Sequence, residues 1–363
     1  MKTFAGFLRA AAPLFAAAFC ACSSLPENKI PAAAELMLPI EAGVVLPKEP
    51  AELSAQIKNA MFLAAEEHNA RQEASSSKIN LFFVETDGSK EQFETALAVL
   101  KARRAKIIHA GYTGECAFEL ERLGGLGCLV NFFSQYPPIA IQTKNAVRIF
   151  LNGAQVCEEM SKEIPEASPL EKKTLVIAVP DTVLGKSCAE FLKYQTGSLN
   201  LKIYSESFSE GEKNFDALAR AAAKTDYALV FAPEGQTGAI LNSLSRAAYK
   251  GKVYAGCALS KKSPALPENL DAKIVKSGFE TGAENPIAES FRRAYQNKYG
   301  EPPSLAAALA YDAAIITAEA LANSAKDPET AKKSLEGKAF CGASGKITFD
   351  VFGDAEIPLG LSR

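Results

Sequence analysis

The segment Gly111-Tyr112-Thr113-Gly114 has the residue types best suited to binding a small anion. It follows an apolar run, Lys106 to Ala110, and precedes a helical pattern. Glycines allow a tight turn, the first amides of a helix point outward, and the Thr113 hydroxyl adds a donor. We therefore expect this turn to bind a ligand carboxylate. The alternative is that Thr113 only caps the helix that follows.

A second polar cluster follows the next predicted strand, Cys128 to Val130. Asn131, Ser134 and Gln135 offer amide and hydroxyl groups there, on either side of Phe132-Phe133. The two phenylalanines either make a pocket wall more apolar or fill the core. Because ligands of parallel sheets bind at the carboxyl ends of the strands, both clusters are candidates for one site.

The sequence offers little for catalysis. His68 and His109 are the only histidines, and neither lies near a cysteine in the spacing of a zinc site. No nucleophile–base or metal constellation is visible, so we predict no catalytic residue, no metal, no cofactor and no enzyme activity. Leu184-Gly185-Lys186-Ser187 resembles the end of a P-loop. However, Pro180 occupies the first glycine position and supplies no amide for a phosphate.

Six cysteines follow Cys22, and none forms a CxxC pair. Export would permit disulfides, but the pairing cannot be deduced from the sequence. The other interpretation is that they are small buried hydrophobic residues. These cysteines are Cys116, Cys128, Cys157, Cys188, Cys257 and Cys341.

The first 37 residues predict an exported, lipid-anchored protein. Lys2 and Arg9 precede a short apolar run, Ala10 to Phe19, which is too short to span a membrane and is typical of a signal peptide. The following Phe19-Cys20-Ala21-Cys22 resembles a lipobox. We expect residues 1–21 to be the signal and Cys22 the acylated residue. Residues 22–37 would be a tether, with no later membrane span.

The composition is that of a globular protein with a large core: 48% of residues are hydrophobic and 23% are charged. The formal charge of −2 comes without basic runs, which argues against nucleic acid as a partner. Apolar runs such as Thr174 to Val179 alternate with amphipathic helices, and the alternation restarts after a polar break at 165–173. We predict an α/β fold of two doubly wound parallel sheets with ligands between them. A strand is also predicted over Val147 to Leu151.

The C-terminal third carries a family resemblance. In order it contains Tyr299-Gly300-Glu301-Pro302-Pro303, Ala310-Tyr311-Asp312-Ala313, Leu335-Glu336-Gly337, Gly342 to Asp350 and Gly353-Asp354. This order resembles the end of type I periplasmic binding proteins, in particular the leucine/isoleucine/valine and amide receptors of ABC importers. The resemblance implies two discontinuous lobes joined by a hinge. Lobe one would be 38–150 with 278–335, and lobe two 151–277 with 336–363.

The resemblance also implies site residues. The turn at Gly111 and the cluster at Ser134 match the family's two carboxylate-binding loops, although the second motif is not kept. Leu184 stands where the family has an aromatic residue on the ligand. The family's acid for a ligand ammonium would fall near Gly256-Cys257-Ala258, where there is none. Glu234 is the candidate substitute, unless it is a solvated loop residue.

Two functions follow from the resemblance. The first is a tethered receptor that binds a small polar, amino-acid-like or amide ligand and delivers it to an ABC permease. It would sit on the cell envelope and face the periplasm or the exterior. The alternative is an envelope lipoprotein of the same fold that regulates a partner protein, such as a cell-wall synthase, without transporting a ligand.

Overall fold

The computed structural model of the chain describes residues 38–72, 77–111, 122–136, 143–168, 170–209, 211–257 and 264–363, without the side chains of Glu234 and Cys257. Its described strands form two parallel sheets and a small antiparallel one. In chain order they are β1 (Ile40–Pro47), β2 (Ile79–Thr86), β3 (Ile107–Ala110), β4 (Leu129–Phe132), β5 (Ala146–Val147), β6 (Thr174–Pro180), β7 (Lys202–Phe208), β8 (Tyr227–Ala232), β9 (Lys252–Cys257), β10 (Ala272–Ser277), β11 (Ala339–Gly342), β12 (Gly345–Phe349), β13 (Ala355–Glu356) and β14 (Leu359–Ser362).

Helices pack on the two large sheets. In chain order the described helices are α1 (Ala51–Arg71), α2 (Lys90–Ala102), α3 (Gly153–Ser161), α4 (Val183–Thr196), α5 (Asp216–Ala222), α6 (Glu234–Arg246), α7 (Gly278–Thr281), α8 (Pro286–Tyr299), α9 (Leu305–Ala322) and α10 (Pro328–Leu335). The predicted helix Glu115 to Leu123 lies almost entirely outside the described residues.

The two large sheets repeat one strand order. The first runs β2-β1-β3-β4-β5, and the second runs β7-β6-β8-β9-β10 with β14 as an antiparallel edge strand. Successive side chains enter different cores: Val44 packs on the side of α1 and α9, and Val45 on the side of α2. Burial on both faces explains the nearly uninterrupted apolar runs of the strands. The predicted α/β fold of two doubly wound parallel sheets is confirmed.

One predicted strand is wrong. Val147 to Leu151 was expected to be extended and paired, but β5 contains only Ala146 and Val147. The next residue, Arg148, makes a single bridge with Asp354 instead of continuing the sheet. Residues 148–152 then leave the first sheet, and α3 packs in the core of the second. An apolar pattern could not distinguish this crossing segment from a strand.

Helix α9 corrects the expectation that no later segment could span a membrane. It has 18 residues, and its length and hydropathy alone would allow a span. However, 83% of it is buried inside the protein. It packs along α1 in the first core, so its apolar surface is explained by the fold.

The tail motifs of the sequence meet around a buried carboxylate. Asp312 in α9 accepts hydrogen bonds from the backbone N–H groups of Ala343 (2.7 Å) and Ser344 (2.8 Å) and from the Ser344 hydroxyl (2.6 Å). These residues form the turn between β11 and β12. A Cβ at Gly342 would lie 2.5 Å from the carboxylate of Asp312, so the turn needs glycine there. The motifs are therefore structural.

The last segment divides between the two sheets. Ile347, Phe349 and Ile357 pack in the core of the first sheet, whereas β14 pairs with β10 in the second. Our expectation assigned all of 336–363 to lobe two. By packing and pairing, only the end beyond Ile357 joins the second sheet, because the small sheet closes over α9.

Asp312 makes stability depend on pH. Burial raises the pKa of its carboxyl to about 6, against the three hydrogen bonds that lower it. Because this folded-state pKa lies above the unfolded value, the contribution is complete below about pH 4 and is lost as pH rises through about 6. We compare the free energy of unfolding of the wild type with that of Asp312→Asn. The difference, wild type minus variant, should fall by up to about 3 kcal/mol between about pH 4 and 7.

Urea denaturation at several pH values measures this difference. The control is Glu289→Gln, because Glu289 is exposed. The difference in the free energy of unfolding between wild type and this control should not show the same fall between about pH 4 and 7. A wild-type minus Asp312→Asn difference that is flat across this range would contradict the assignment.

Candidate functional site

The candidate site is expected at the carboxyl ends of the central strands of each large sheet. In the first sheet the non-consecutive strands β1 and β3 are neighbours, and in the second sheet β6 and β8 are. Such switch points leave a crevice where ligands of open α/β sheets bind. β3 ends at Ala110, directly before Gly111, and β6 ends at Pro180, directly before the turn into α4. Gly111 and Leu184 thus follow strands that lie beside a switch point.

Gly111 has a backbone conformation that suits only glycine. Its φ is +103°, and an added Cβ would lie 2.7 Å from Cδ1 of Phe132. The Phe133 N–H donates to the carbonyl of Ala110 at 2.7 Å, so β3 and β4 remain paired up to this edge. Phe132 and Phe133 are both buried, and Phe133 packs edge-on against Phe150 at 5.5 Å. The two phenylalanines fill the core and do not form a pocket wall.

The three polar residues of the second cluster have different surroundings. Asn131 lies within β4, and its side-chain oxygen accepts from the Ile149 N–H at 2.7 Å, which holds the crossing segment. The Ser134 hydroxyl oxygen accepts from the Tyr136 N–H at 3.2 Å, which leaves its own proton to donate. The carbonyl of Gln135 accepts from the Gly153 N–H at 2.8 Å.

Gly153 is the point where the two sides of the candidate site meet. It begins α3, and the Asn152 side chain caps the helix through the Ala154 N–H at 2.9 Å. A Cβ at Gly153 would lie 2.6 Å from the Gln135 carbonyl oxygen and 3.5 Å from Cδ1 of Leu184. Gln135 of the first sheet and Leu184 of the second, both predicted from the sequence, therefore converge on one glycine.

A buried ion pair lies behind this point. The Arg148 side chain has no solvent exposure, and its Nε and Nη2 donate to the two Asp354 carboxylate oxygens at 2.8 and 2.5 Å. Its Nη1 donates to the carbonyls of Ser134, at 3.3 Å, and Tyr136. Burial raises the pKa of the Asp354 carboxyl, and the Arg148 cation opposes this rise. The Arg148 guanidinium thus binds groups of the protein itself and does not serve as a site for a ligand anion.

Sequence reasoning missed this pair. Gly353-Asp354 was noted only as an element of the family pattern, and Arg148 lay inside the strand predicted over Val147 to Leu151. A signal was present, since an arginine inside an apolar run must be paired when it is buried. The partner lies 206 residues away, so the sequence did not identify it.

Several predicted residues lie outside the described part of the chain. These are Cys22, Tyr112, Thr113 and the side chain of Glu234. In the described ranges no group of three or more His, Cys, Asp or Glu side chains is arranged to hold a metal ion. A depression of about 300 Å³ beside β7 is lined by Asp181, Glu206 and Glu212 among others, so a carboxylate would be repelled there.

The comparisons with known proteins agree with this architecture. The leucine-binding protein LivK of Thermotoga maritima is 18% identical, with a TM-score of 0.69 over 89% of this chain and 94% of its own. The Streptococcus pneumoniae LivJ, solved with isoleucine, is 17% identical, with a TM-score of 0.70 over 89% and 99%. A Rhodopseudomonas palustris solute-binding protein of an ABC transporter, solved with 3,4-dihydroxybenzoic acid, is 16% identical, with a TM-score of 0.72 over 90% and 93%.

Two doubly wound parallel sheets, linked by a segment that crosses between them, have the architecture of a two-sheet binding protein of the periplasmic type. The sequence model of the periplasmic binding proteins matches residues 40–355. The chain therefore belongs to the periplasmic binding protein family, whose members lie in the periplasm or cell envelope. No curated protein matches the sequence.

The Arg148–Asp354 pair gives a stability prediction. Arg148→Met would leave the Asp354 carboxylate buried without its cation, which costs about 3–5 kcal/mol in the free energy of unfolding. The control is Arg246→Met, because Arg246 forms an exposed pair with Asp216 at 3.0 Å. Exposed pairs contribute about 0–1 kcal/mol. Guanidinium denaturation measures both variants, and equal losses would refute a special role for the buried pair.

Proposed function

We propose that the chain is a solute receptor that binds a small carboxylate between the two sheet edges and delivers it to an ABC importer. One observation carries the proposal. Gln135, Gly153 and Leu184 bring the predicted loops of both sheets to one point, and Gly111 and Ser134 follow the neighbouring strands β3 and β4. Binding sites of this kind combine mostly apolar walls with a few polar groups that orient the ligand.

The charges of the described site favour a ligand without an ammonium group. The Ser134 hydroxyl can donate to a carboxylate, and Leu184 provides apolar surface. Asp354 is already paired with Arg148, and the sequence has no acid at Gly256-Cys257-Ala258. A desolvated ammonium left unpaired costs several kcal/mol. We therefore rank aromatic acids above amino acids, which departs from the amino-acid-like or amide ligand expected from the sequence. The dihydroxybenzoate of the Rhodopseudomonas palustris relative is of this kind.

We propose that the ligand closes two lobes around the segments that cross between the sheets. The chain crosses at 148–152, again where β10 leads into α7, and finally between β13 and β14. The first two crossings support the proposed boundaries near 150 and 278. The third supports moving the last boundary from 336 to about 358.

A ligand panel tests this proposal. The chain without its first 37 residues is titrated with 3,4-dihydroxybenzoate, 4-hydroxybenzoate, benzoate, leucine, isoleucine and glutamine, and thermal unfolding is followed. Ligand at a hundred times its Kd should stabilise the folded chain by about 2.7 kcal/mol. We expect the benzoates to stabilise more than the amino acids. If no compound of the panel stabilised the chain against thermal unfolding, the receptor proposal would be contradicted. The alternative, a regulator of an envelope partner protein, would then be favoured.

Two variants test the placement of the site. Ser134→Ala removes one hydrogen-bond donor and should weaken the affinity about five- to tenfold in calorimetry. Thr113→Ala should do the same if the first loop binds the carboxylate. Ser245→Ala is the control, since the Ser245 hydroxyl donates to the Asn269 side chain on the surface. If the affinity were unchanged in both Ser134→Ala and Thr113→Ala, the placement of the site at these loops would be contradicted.

We further infer from the sequence that Cys22 carries a lipid anchor. Metabolic labelling with a fatty acid should mark the wild type, and membranes should retain it. Cys22→Ser should lose both the label and the membrane association, because acyl chains supply the attachment. A labelled Cys22→Ser protein would refute the anchor without affecting the ligand proposal.

A further inference from the structure

Two buried cysteines face each other between neighbouring helices. Cys157 lies in α3 and Cys188 in α4, and neither side chain is exposed to solvent. Both belong to the same core, on the side of the second sheet that these helices cover. The family comparisons give these residues no role.

The Cys188 sulfur lies beside the start of α3, the helix that carries Cys157. Sγ of Cys188 is 3.2 Å from the position that a Cβ would take at Gly153, four residues before Cys157 in α3. Residues four apart on a helix have Cβ atoms about 5–6 Å apart. The Cys157 thiol donates to the backbone carbonyl of Cys188 at 3.9 Å. Burial, together with the neighbouring Cys188 thiol, raises the pKa of Cys157.

The other described thiols are placed differently. Cys128 is buried in the core beside α2, on the other sheet, and Cys341 is exposed in β11. Cys116 and the side chain of Cys257 lie outside the described residues. Among the described cysteines, Cys157 and Cys188 are therefore the pair that lies in contact between two neighbouring helices.

We propose that Cys157 and Cys188 form a disulfide that fastens α4 to α3 beside the first crossing segment. The two S–H bonds break and one S–S bond forms. Two electrons and two protons pass to the disulfide of an oxidising thiol–disulfide exchange partner, which becomes a dithiol. The periplasm, where this family resides, supplies such oxidants.

The bond forms while the chain folds. Thiolate is the reacting species, and burial disfavours it in the finished core. After folding, the same burial shields the bond from reductants. The bond would close a loop between residues 31 apart, and it would hold Leu184, near the start of α4, against Gly153. The disulfide would thus fix the second-sheet side of the candidate site.

Peptide mapping of the full chain tests this assignment. The protein is exported to an oxidising periplasm, denatured, alkylated without reduction, digested and analysed by mass spectrometry. We expect one linked peptide pair containing Cys157 and Cys188, with Cys128 and Cys341 alkylated. Alkylation of both Cys157 and Cys188, or a link from either one to Cys257, would overturn the proposal.

Thermal unfolding gives a second readout. Wild type refolded in reductant should melt lower, on the order of 5 °C, than wild type refolded with oxidised glutathione. Cys128→Ala should keep this difference, whereas Cys157→Ala with Cys188→Ala should lose it. A difference that persists in the double variant would contradict the assignment. Peptide mapping of the wild type decides the matter if that variant does not fold.

Discussion

The buried contact of Arg148 with Asp354 is the interaction on which the arrangement of the two sheets depends. Arg148 begins the first crossing between the sheets, and Asp354 precedes the last. Their backbones also pair, since the Arg148 N–H donates to Gly353 and its carbonyl accepts from Ala355. Buried pairs often add little net stability, but they restrict which partners can meet. Here the restriction aligns two crossing segments that are far apart in sequence.

This alignment places the candidate site. Asn152 contacts the Asp354 carboxylate at 3.5 Å and also caps α3, so the ion pair is connected to the start of the helix that begins at Gly153. Arg148 in turn holds the carbonyls of Ser134 and Tyr136, on either side of Gln135. The polar loop of the first sheet and the first turn of α3 are thus fixed by the same guanidinium.

Sequence reasoning predicted the elements better than their contacts. Apolar runs such as Tyr227–Ala232 identify buried parallel strands because both faces must be covered. β10 was missed, since Lys273 and Lys276 interrupt its apolar pattern. The tail motifs indicated the fold, and Asp312 shows why: its carboxylate binds the β11–β12 turn.

The site was predictable only in part. Gln135 was predicted from its place after a strand and Leu184 from the family resemblance, and both lie beside Gly153. Asn131 was grouped with them, yet its side chain supports the crossing segment, because β4 extends two residues beyond the predicted end. Gly153 and Asp354 were not identified as parts of the site. Their roles come from contacts between segments whose pairing depends on the whole topology.

Hydrogen–deuterium exchange with and without the best-binding carboxylate tests the central claim most directly. We predict that bound ligand slows amide exchange on both sides of the Gln135–Gly153 contact. The slowed amides should be those of Gly111, of Ser134 to Tyr136, of Gly153 and of Leu184. Protection confined to one sheet, or centred on the acidic depression beside β7, would contradict a site shared by the two sheet edges.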